Sequence, residues 1–432
     1  MMELLVRFHG EPCGRLRIRD ERMQFQYEPE WITAAGPPLS VSMPLRDAPW
    51  PDRNTFPFFE NLLPEGVLRD LIAEQLGTAP NNFARLLSAT GGDVAGAISL
   101  EDTDASASGH PPEREPHMPT EPGQAEALTE TSLGQVIETL QHYPLLQGSD
   151  SGLRLSLAGA QRKLPVWLDT KKELYLPHHQ PSTHILKPPA ERFPGLVGNE
   201  YLCMRAARQA GLNVPDVSLR PFVDRKGLHH DAYLVSRYDR VTRQGQTTRL
   251  HQEDLCQVLG IPSARKYTAD GGPGFGDVIR VLRSHTRPSA VHLREMIRRL
   301  LFNLMIGNQD AHAKNISLLH QASGQVALAP AYDIVSTLVY DQLTDRLAMP
   351  VGSAGRIREL DRQAMERFEE ETGIHLRRQA GTLHRFVDTA LLAVEDQARQ
   401  VSEQTWPGQT RVLDRIVAIS QRHAALLHDW LG

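Results

Sequence analysis

The chain has 432 residues, 40% of them hydrophobic and 6% aromatic, with a formal net charge of −5. That length suits two to three domains with a large core, and the mild acidity excludes a global basic field that would draw the chain to nucleic acid or an anionic membrane. No apolar run approaches the ~18 residues of a membrane span, and the opening Met-Met-Glu-Leu-Leu-Val-Arg lacks a signal-peptide core. Cys13, Cys203 and Cys256 are odd in number and widely spaced, so no disulfide framework or zinc site is expected and a reducing cytoplasm is the natural compartment.

In chain order, residues 3–9, 14–19 and 23–27 alternate apolar and polar and predict a small antiparallel sheet. Residues 56–76 carry a helical period broken by Pro64 and Gly66, and 94–100 read as a buried strand. Residues 1–100 are thus expected to form a β-rich N-terminal subdomain. The stretch 101–127 then sets Pro111, Pro112, Pro116, Pro119 and Pro122 among Glu, Ser and Thr. It has too little apolar area to offset its ordering entropy, so 101–131 is predicted to be a flexible linker.

Ser132 to Gln135 fits a capping box opening a helix that runs to about Tyr143. Residues 163–168 and 173–176 flank an Asp-Thr-Lys-Lys turn as strands, and 183–187 form another, stopped by Pro188-Pro189. A helix is expected over 200–210, stopped by Gly211 and Pro215, and a strand over 233–238. From Gln252 onward helices dominate. The predicted fold class is α+β: a two-lobed, protein-kinase-like fold with a β-rich lobe over 132–238 and a mostly helical C-terminal lobe over 239–432.

The helical lobe holds the most informative pattern. A helix over 292–306, with Met296, Leu300, Leu301, Leu304 and Met305 on one stripe, stops at Gly307-Asn308 and delivers Asp310. Asn315 follows after four spacers. A short hairpin (316–319 with 326–328, around Ser323-Gly324) then leads to Asp333. An Asp, four spacers, an Asn and a later Asp is how kinase catalytic loops are spaced. One carboxylate orients an acceptor hydroxyl and takes its proton, while an amide oxygen and a second carboxylate hold Mg²⁺ against the triphosphate. An Asp–Asn pair in a loop is also ordinary turn chemistry, so the spacing gains meaning only from its context.

Other segments fit the same chemistry, each with a plainer alternative. Small residues in Ser156-Leu157-Ala158-Gly159-Ala160-Gln161-Arg162-Lys163 let backbone N–H groups approach phosphates, or simply form a tight turn. Lys187 ends an apolar strand on the face of Thr183 and Ile185, where its ammonium either neutralises phosphate or reaches solvent. Glu200, at the opening of the next helix, either pairs with Lys187 or favours the helix N-terminus. Tyr238 lies where a hinge would line an adenine pocket, or is an ordinary core tyrosine. Arg240, Arg243 and Arg249 read as a solvated basic loop, and Arg294, Arg298 and Arg299 as a polar helix face.

With these pieces in order, the chain resembles the HipA family of bacterial serine/threonine kinases, toxins of toxin–antitoxin pairs associated with persistence. The resemblance runs through Phe58-Phe59-Glu60-Asn61-Leu62-Leu63-Pro64-Glu65-Gly66, the segment from Ser156 to Lys163, and Ser182-Thr183-His184-Ile185-Leu186-Lys187. It continues through Asn199-Glu200-Tyr201, Gly211 to Pro215, Lys266-Tyr267 with the glycine-rich 270–274, Asp310 to Asn315, and Tyr332-Asp333-Ile334. It implies ATP and Mg²⁺ as cofactors, Asp310 as catalytic acid–base, and Asn315 and Asp333 as Mg²⁺ ligands. It implies Leu157, Ala158, Gly159, Ala160, Gln161, Lys163 and Lys187 at the ATP phosphates, with Ser236, Tyr238, His312 and Tyr332 around the nucleotide. Ser156 corresponds to an autophosphorylated serine, whose phosphate would eject the loop and inactivate the kinase, and 189–198 to a mobile activation segment.

The family further implies a small helix-turn-helix antitoxin of HipB type, operator DNA bound mainly through that partner, and a protein substrate from the translation machinery, aminoacyl-tRNA synthetases foremost. Ser236 stands where the family's pattern leads one to expect an acid, and Arg162 replaces another acid. Two other readings of the same residues are a small-molecule phosphotransferase of aminoglycoside or choline kinase type and a pseudokinase co-repressor scaffold. The serine-bearing loop and N-terminal sheet oppose the first. The complete set of Lys187, Asp310, Asn315 and Asp333 opposes the second.

Overall fold

The computed structural model describes residues 2–103, 127–143, 145, 161–177, 181–243, 246–321, 323–404 and 410–432. The chain divides into two compact units: 1–187 with 221–230 and 236–263, and 188–220 with 231–235 and 264–432. Among the described residues no helix is long and apolar enough to cross a membrane, and the three cysteines are buried and form no disulfide.

The first unit begins with strands β1 (Met2–Phe8), β2 (Glu11–Arg19) and β3 (Arg22–Tyr27), and with β4 (Ile98–Asp102) they make an antiparallel sheet of order β3-β2-β1-β4. Alternation decides which face is buried. Leu4, Val6 and Phe8 of β1 meet Leu16 and Ile18 of β2 and Phe25 of β3 in the core. On the other face Arg15 and Arg17 bind Glu3 at 2.8 Å each. Gly14 is required by a close approach: a Cβ there would stand 2.4 Å from the Phe25 ring. Helices Asp52–Glu60, Gly66–Gln75 and Phe83–Thr90 complete this core with Phe58, Phe59, Leu68, Ile72, Leu86 and Leu87. The break between the first two falls at Pro64, as the sequence leads one to expect.

The 94–100 strand is shorter than its apolar character suggests. Pairing starts only at Ile98, because Val94 and Gly96 are held by buried arginine and aspartate side chains instead of a ladder. The helix Glu130–His142 opens two residues earlier than Ser132: Thr129 is the N-cap, exchanging bonds with Ser132 in a capping box. β5 (Leu164–Leu168) pairs antiparallel with both β6 (Leu174–Tyr175) and β7 (His184–Lys187).

The second unit is mainly helical. Its helix Ser289–Ile306 buries Met296, Leu300, Leu301, Leu304 and Met305, the stripe read from sequence, and is capped by Gly307 at φ +71°. That left-handed turn is tightly enclosed, with Leu338 Cδ1 2.9 Å from where a Cβ would sit. The helix Leu196–Gln209 starts four residues before Glu200, which therefore lies inside the helix and is buried. The start has no side-chain cap; left-handed Gly195 (φ +75°) turns the chain into it. The predicted 189–198 segment thus already includes the helix's first turn. The long helices Ala380–Gln404 and Thr410–Leu431 form an antiparallel C-terminal pair, from which buried His423 binds the Leu304 carbonyl through Nδ1 at 2.9 Å.

Candidate active site

The site is built where the helix Ser289–Ile306 ends. After Gly307, Asn308 braces the turn: its Nδ2 donates to Asn303 Oδ1 at 2.9 Å and its Oδ1 accepts from the Asp310 N–H at 3.0 Å. An Asx-type bond of this kind folds the chain back on itself. Gln309 is fixed by its N–H to Thr337 Oγ1 at 2.8 Å and by its carbonyl to the Ala348 N–H at 3.0 Å. The Asp310 side chain emerges from this frame 51% exposed.

Asp310 and Asn315 belong to one closed loop. The Asp310 carbonyl accepts from the His312 N–H at 2.9 Å and from Asn315 Nδ2 at 3.0 Å. With its nitrogen so committed, the Asn315 amide has its oxygen left as the metal-type donor. Tyr332 donates its hydroxyl to the Lys314 carbonyl at 2.7 Å, so the Ser317 hydroxyl, 2.6 Å away, donates to Tyr332. This ties the residue before Asp333 to the residue before Asn315. The hairpin between them is formed as the sequence suggests, Ser317–His320 pairing with Val326–Leu328.

Asp333 itself adopts φ +57°, a left-handed conformation unusual for a residue with a Cβ. Strain of this kind persists where surroundings enforce it. Three residues on, Ser336 is clamped by Asn199, whose Nδ2 donates to the Ser336 carbonyl and whose Oδ1 accepts its N–H, both at 2.9 Å. Close by in electrostatic terms is Tyr233, buried in the same unit. Burial first, then the carboxylates of Glu200 and Asp333, hold its hydroxyl well above the usual tyrosine range.

The remaining candidates lie in the first unit. Lys187 stands at the end of β7, where the strand pattern put it, and is buried, so it does not reach into solvent. Ser236 ends the strand His229–Ser236, and the Tyr238 hydroxyl is bound by Gln252 Oε1. Gln161 and Lys163 lead half-buried into β5, whereas Ser156, Leu157, Ala158, Gly159 and Ala160 lie outside the described residues.

Arg240 and Arg249 correct the reading of a solvated basic loop. Both belong with Arg237 to a buried cluster around Asp93 and Asp239: Arg240 meets each carboxylate at 2.8 Å, Arg237 meets Asp239 at 2.9 Å, and Arg249 meets Asp93 at 3.4 Å. Arg243 is exposed. Arg299, expected on a polar face, is also buried and binds Glu295 at 3.0 Å.

One residue of the site went unassigned in the sequence. Tyr267 donates its hydroxyl to Asp310 Oδ1 at 2.7 Å and packs edge-on against His312, whose Nε2 is 3.7 Å from the same oxygen. The signal available was Lys266-Tyr267 just ahead of a glycine-rich turn. An exposed carboxylate with one oxygen fixed and the other directed outward can accept a proton from an incoming hydroxyl.

The acid–amide–acid loop thus follows a buried helix in a mixed α+β fold. The model of the HipA-like C-terminal domain matches residues 155–403 and that of the HipA N-terminal domain residues 4–101. The putative kinase Y4mE of Sinorhizobium fredii is 39% identical over 375 residues, covering 86% of this chain and 85% of its own. The serine/threonine-protein kinase toxin HipA of Shewanella oneidensis is 32% identical, with 75% and 72% covered.

The fold matches a chain from the Shewanella oneidensis MR-1 toxin–antitoxin complex of HipA, HipB and its operator DNA, with TM-score 0.76, 24% identity and 99% of each chain covered. The chain belongs to the HipA family.

Proposed function

We propose that this chain is an ATP- and Mg²⁺-dependent serine/threonine protein kinase, the toxin of a toxin–antitoxin pair acting in the cytoplasm. The observation that carries the reading is the loop from Asp310 to Asn315. It spends its backbone and amide nitrogen on internal bonds and leaves a carboxylate and an amide oxygen for reactants. Oxygen donors on Asn315 and Asp333 fit Mg²⁺, a hard cation that prefers carboxylate, carbonyl and water. When bound, the ion neutralises charge on the transferred phosphoryl group.

In this reading Asp310 orients the acceptor hydroxyl and takes its proton as the oxygen bonds to the γ-phosphorus and ADP leaves. Lys187, with Gln161, Lys163 and the backbone of 157–160, holds the phosphates. Ser236, Tyr238, His312 and Tyr332 surround the nucleotide, and Ser156 is the autophosphorylation site that switches the kinase off. Residues 1–100 act as an N-terminal subdomain, 132–238 as the nucleotide lobe and 239–432 as the catalytic lobe; of the stretch 101–131 proposed as a linker, Glu101 and Asp102 belong to β4 and Glu130 and Thr131 to a helix.

Family membership supports a HipB-like helix-turn-helix antitoxin through which operator DNA is bound, and a translation component, foremost an aminoacyl-tRNA synthetase, as substrate. Purified protein given γ-labelled ATP and Mg²⁺ is expected to label itself at Ser156. Absence of label in wild type, or equal label in Asp310→Ala, refutes the kinase. Phosphoproteomics of cells expressing wild type against Asp333→Asn identifies the substrate.

A further inference from the structure

The Tyr267 hydroxyl on Asp310 is not an incidental surface contact, because the loop that carries it is built to hold it there. Tyr267 O accepts the N–H groups of Asp270 at 3.0 Å and Gly272 at 2.9 Å, closing a tight turn. Gly271 takes φ +78°, and a Cβ on Gly272 would lie 2.0 Å from the Arg265 carbonyl and 2.6 Å from that of Tyr267. Only glycine permits this turn. Thr268 locks it further, its Oγ1 donating to the Pro273 carbonyl at 2.7 Å. The Thr268 N–H binds the Ala348 carbonyl at 3.1 Å, and the Ala348 N–H binds Gln309 O at 3.0 Å. The turn is therefore laced to the residue preceding Asp310.

On the other side, His312 is buried and gives the Tyr267 ring a fixed wall, with centroids 5.2 Å apart and planes at 80°. Ring and hydroxyl are thereby both positioned. A carboxylate has two oxygens with about four lone-pair sites. Tyr267 and His312 address Oδ1, and no described residue bonds Oδ2.

We propose that Tyr267 is a positioning residue for phosphoryl transfer. Its phenol pins Oδ1 and so presents Oδ2 to the acceptor hydroxyl. This rests on the kinase reading above and adds to it a residue 43 positions upstream of the acid it serves. Without the phenol, a half-exposed carboxylate samples several rotamers and meets the acceptor in the productive one only part of the time.

The test is Tyr267→Phe, which keeps the ring against His312 and removes only the hydroxyl. Label transfer from γ-labelled ATP with Mg²⁺ is followed into the protein itself and into casein as a generic acceptor, against ATP concentration. The expected result is a saturating rate about 10- to 100-fold lower, the range for one hydrogen bond to a charged group. Half-saturating ATP and melting temperature should stay at wild-type values. A wild-type saturating rate in Tyr267→Phe, with Asp310→Ala inactive, overturns the role of Tyr267 and leaves the kinase reading intact. A parallel fall in melting temperature and ATP affinity makes the contact structural and also overturns it. Activity retained in Asp310→Ala removes the kinase reading itself.

Discussion

Asp93 and Asp239 in the first unit and Asp310 in the second are all aspartates beside aromatic or cationic partners, yet they are treated in opposite ways. The first pair is buried, with Arg237, Arg240 and Arg249, the Ser182 N–H and the Gly96 N–H distributed over four carboxylate oxygens. Asp310 is half exposed, with one oxygen addressed by Tyr267 and His312 and the other open among the described residues. Burying a charge is costly unless it is paired and hydrogen-bonded. An aspartate whose every oxygen is answered by the protein serves the fold, whereas one held by a single oxygen at the surface has the other open, as the proposed kinase role requires.

The largest effect that can break this comparison is on activity. Asp310→Ala should lower phosphoryl transfer by about 10²- to 10⁴-fold, the usual contribution of a positioned acid–base group. It should leave stability within about 0.5 kcal/mol, as for a surface change. A large drop in melting temperature would move Asp310 to the structural side. Asp93→Ala should do the reverse. It leaves Arg240 and Arg249 without their shared carboxylate, which for a broken buried pair costs about 3–5 kcal/mol in chemical denaturation. A cost below about 1 kcal/mol would mean that water replaces the carboxylate and that the cluster is not a closed structural element.

A pH titration of stability sharpens the contrast. Burial raises the Asp239 carboxyl, but Arg237 and Arg240 outweigh it and hold the group at about 2, below its ordinary 3.8. Asp93 is held lower still against the same burial by Arg237, Arg240 and Arg249. Because the folded state favours the charged form, this stabilisation is fully present above the ordinary value. It is lost as pH falls from about 4 through 2. For Asp239 the loss is about 2 kcal/mol. Denaturation midpoints should fall steeply across that window, and Asp239→Asn should flatten the slope. An unchanged slope in that variant would show that other carboxylates govern acid unfolding.

How much of this was readable follows from how local each feature is. The stripe of the helix Ser289–Ile306, its Gly307 stop and the hairpin before Asp333 depend on neighbours within a few residues, and the sequence yields them. The start of the helix Leu196–Gln209 does not, because a left-handed glycine without a side-chain cap leaves no polar signature. Arg240 is read as solvated because its partner Asp93 is 147 residues away. Tyr267 is marked in the sequence by the glycine-rich turn behind it, but its contact is not, since only the fold brings it to Asp310. Side chains whose chemistry is completed at long range look like ordinary surface residues in a sequence.

The smallest effect completes the comparison by holding chemistry constant and changing solvent. Glu3 accepts from Arg15 and Arg17 across β1 and β2, much as Asp93 does from its arginines, but on a face open to water, with Arg15 and Arg17 about 40% exposed. The Arg15 and Arg17 hydrogen bonds lower the Glu3 carboxyl. In water the gain from such a pair is offset by ordering long side chains and by screening. Glu3→Gln should therefore cost only about 0.5 kcal/mol at low salt. Repeating denaturation at ~1 M salt, where the screening length falls to about 3 Å, should erase the difference from wild type. The Asp93→Ala cost should survive the same salt, because ions do not enter the buried cluster. If salt rescued both variants alike, the arginines around Asp93 would be reachable by solvent ions, and burial would no longer be what separates the structural aspartates from the one offered to a reactant.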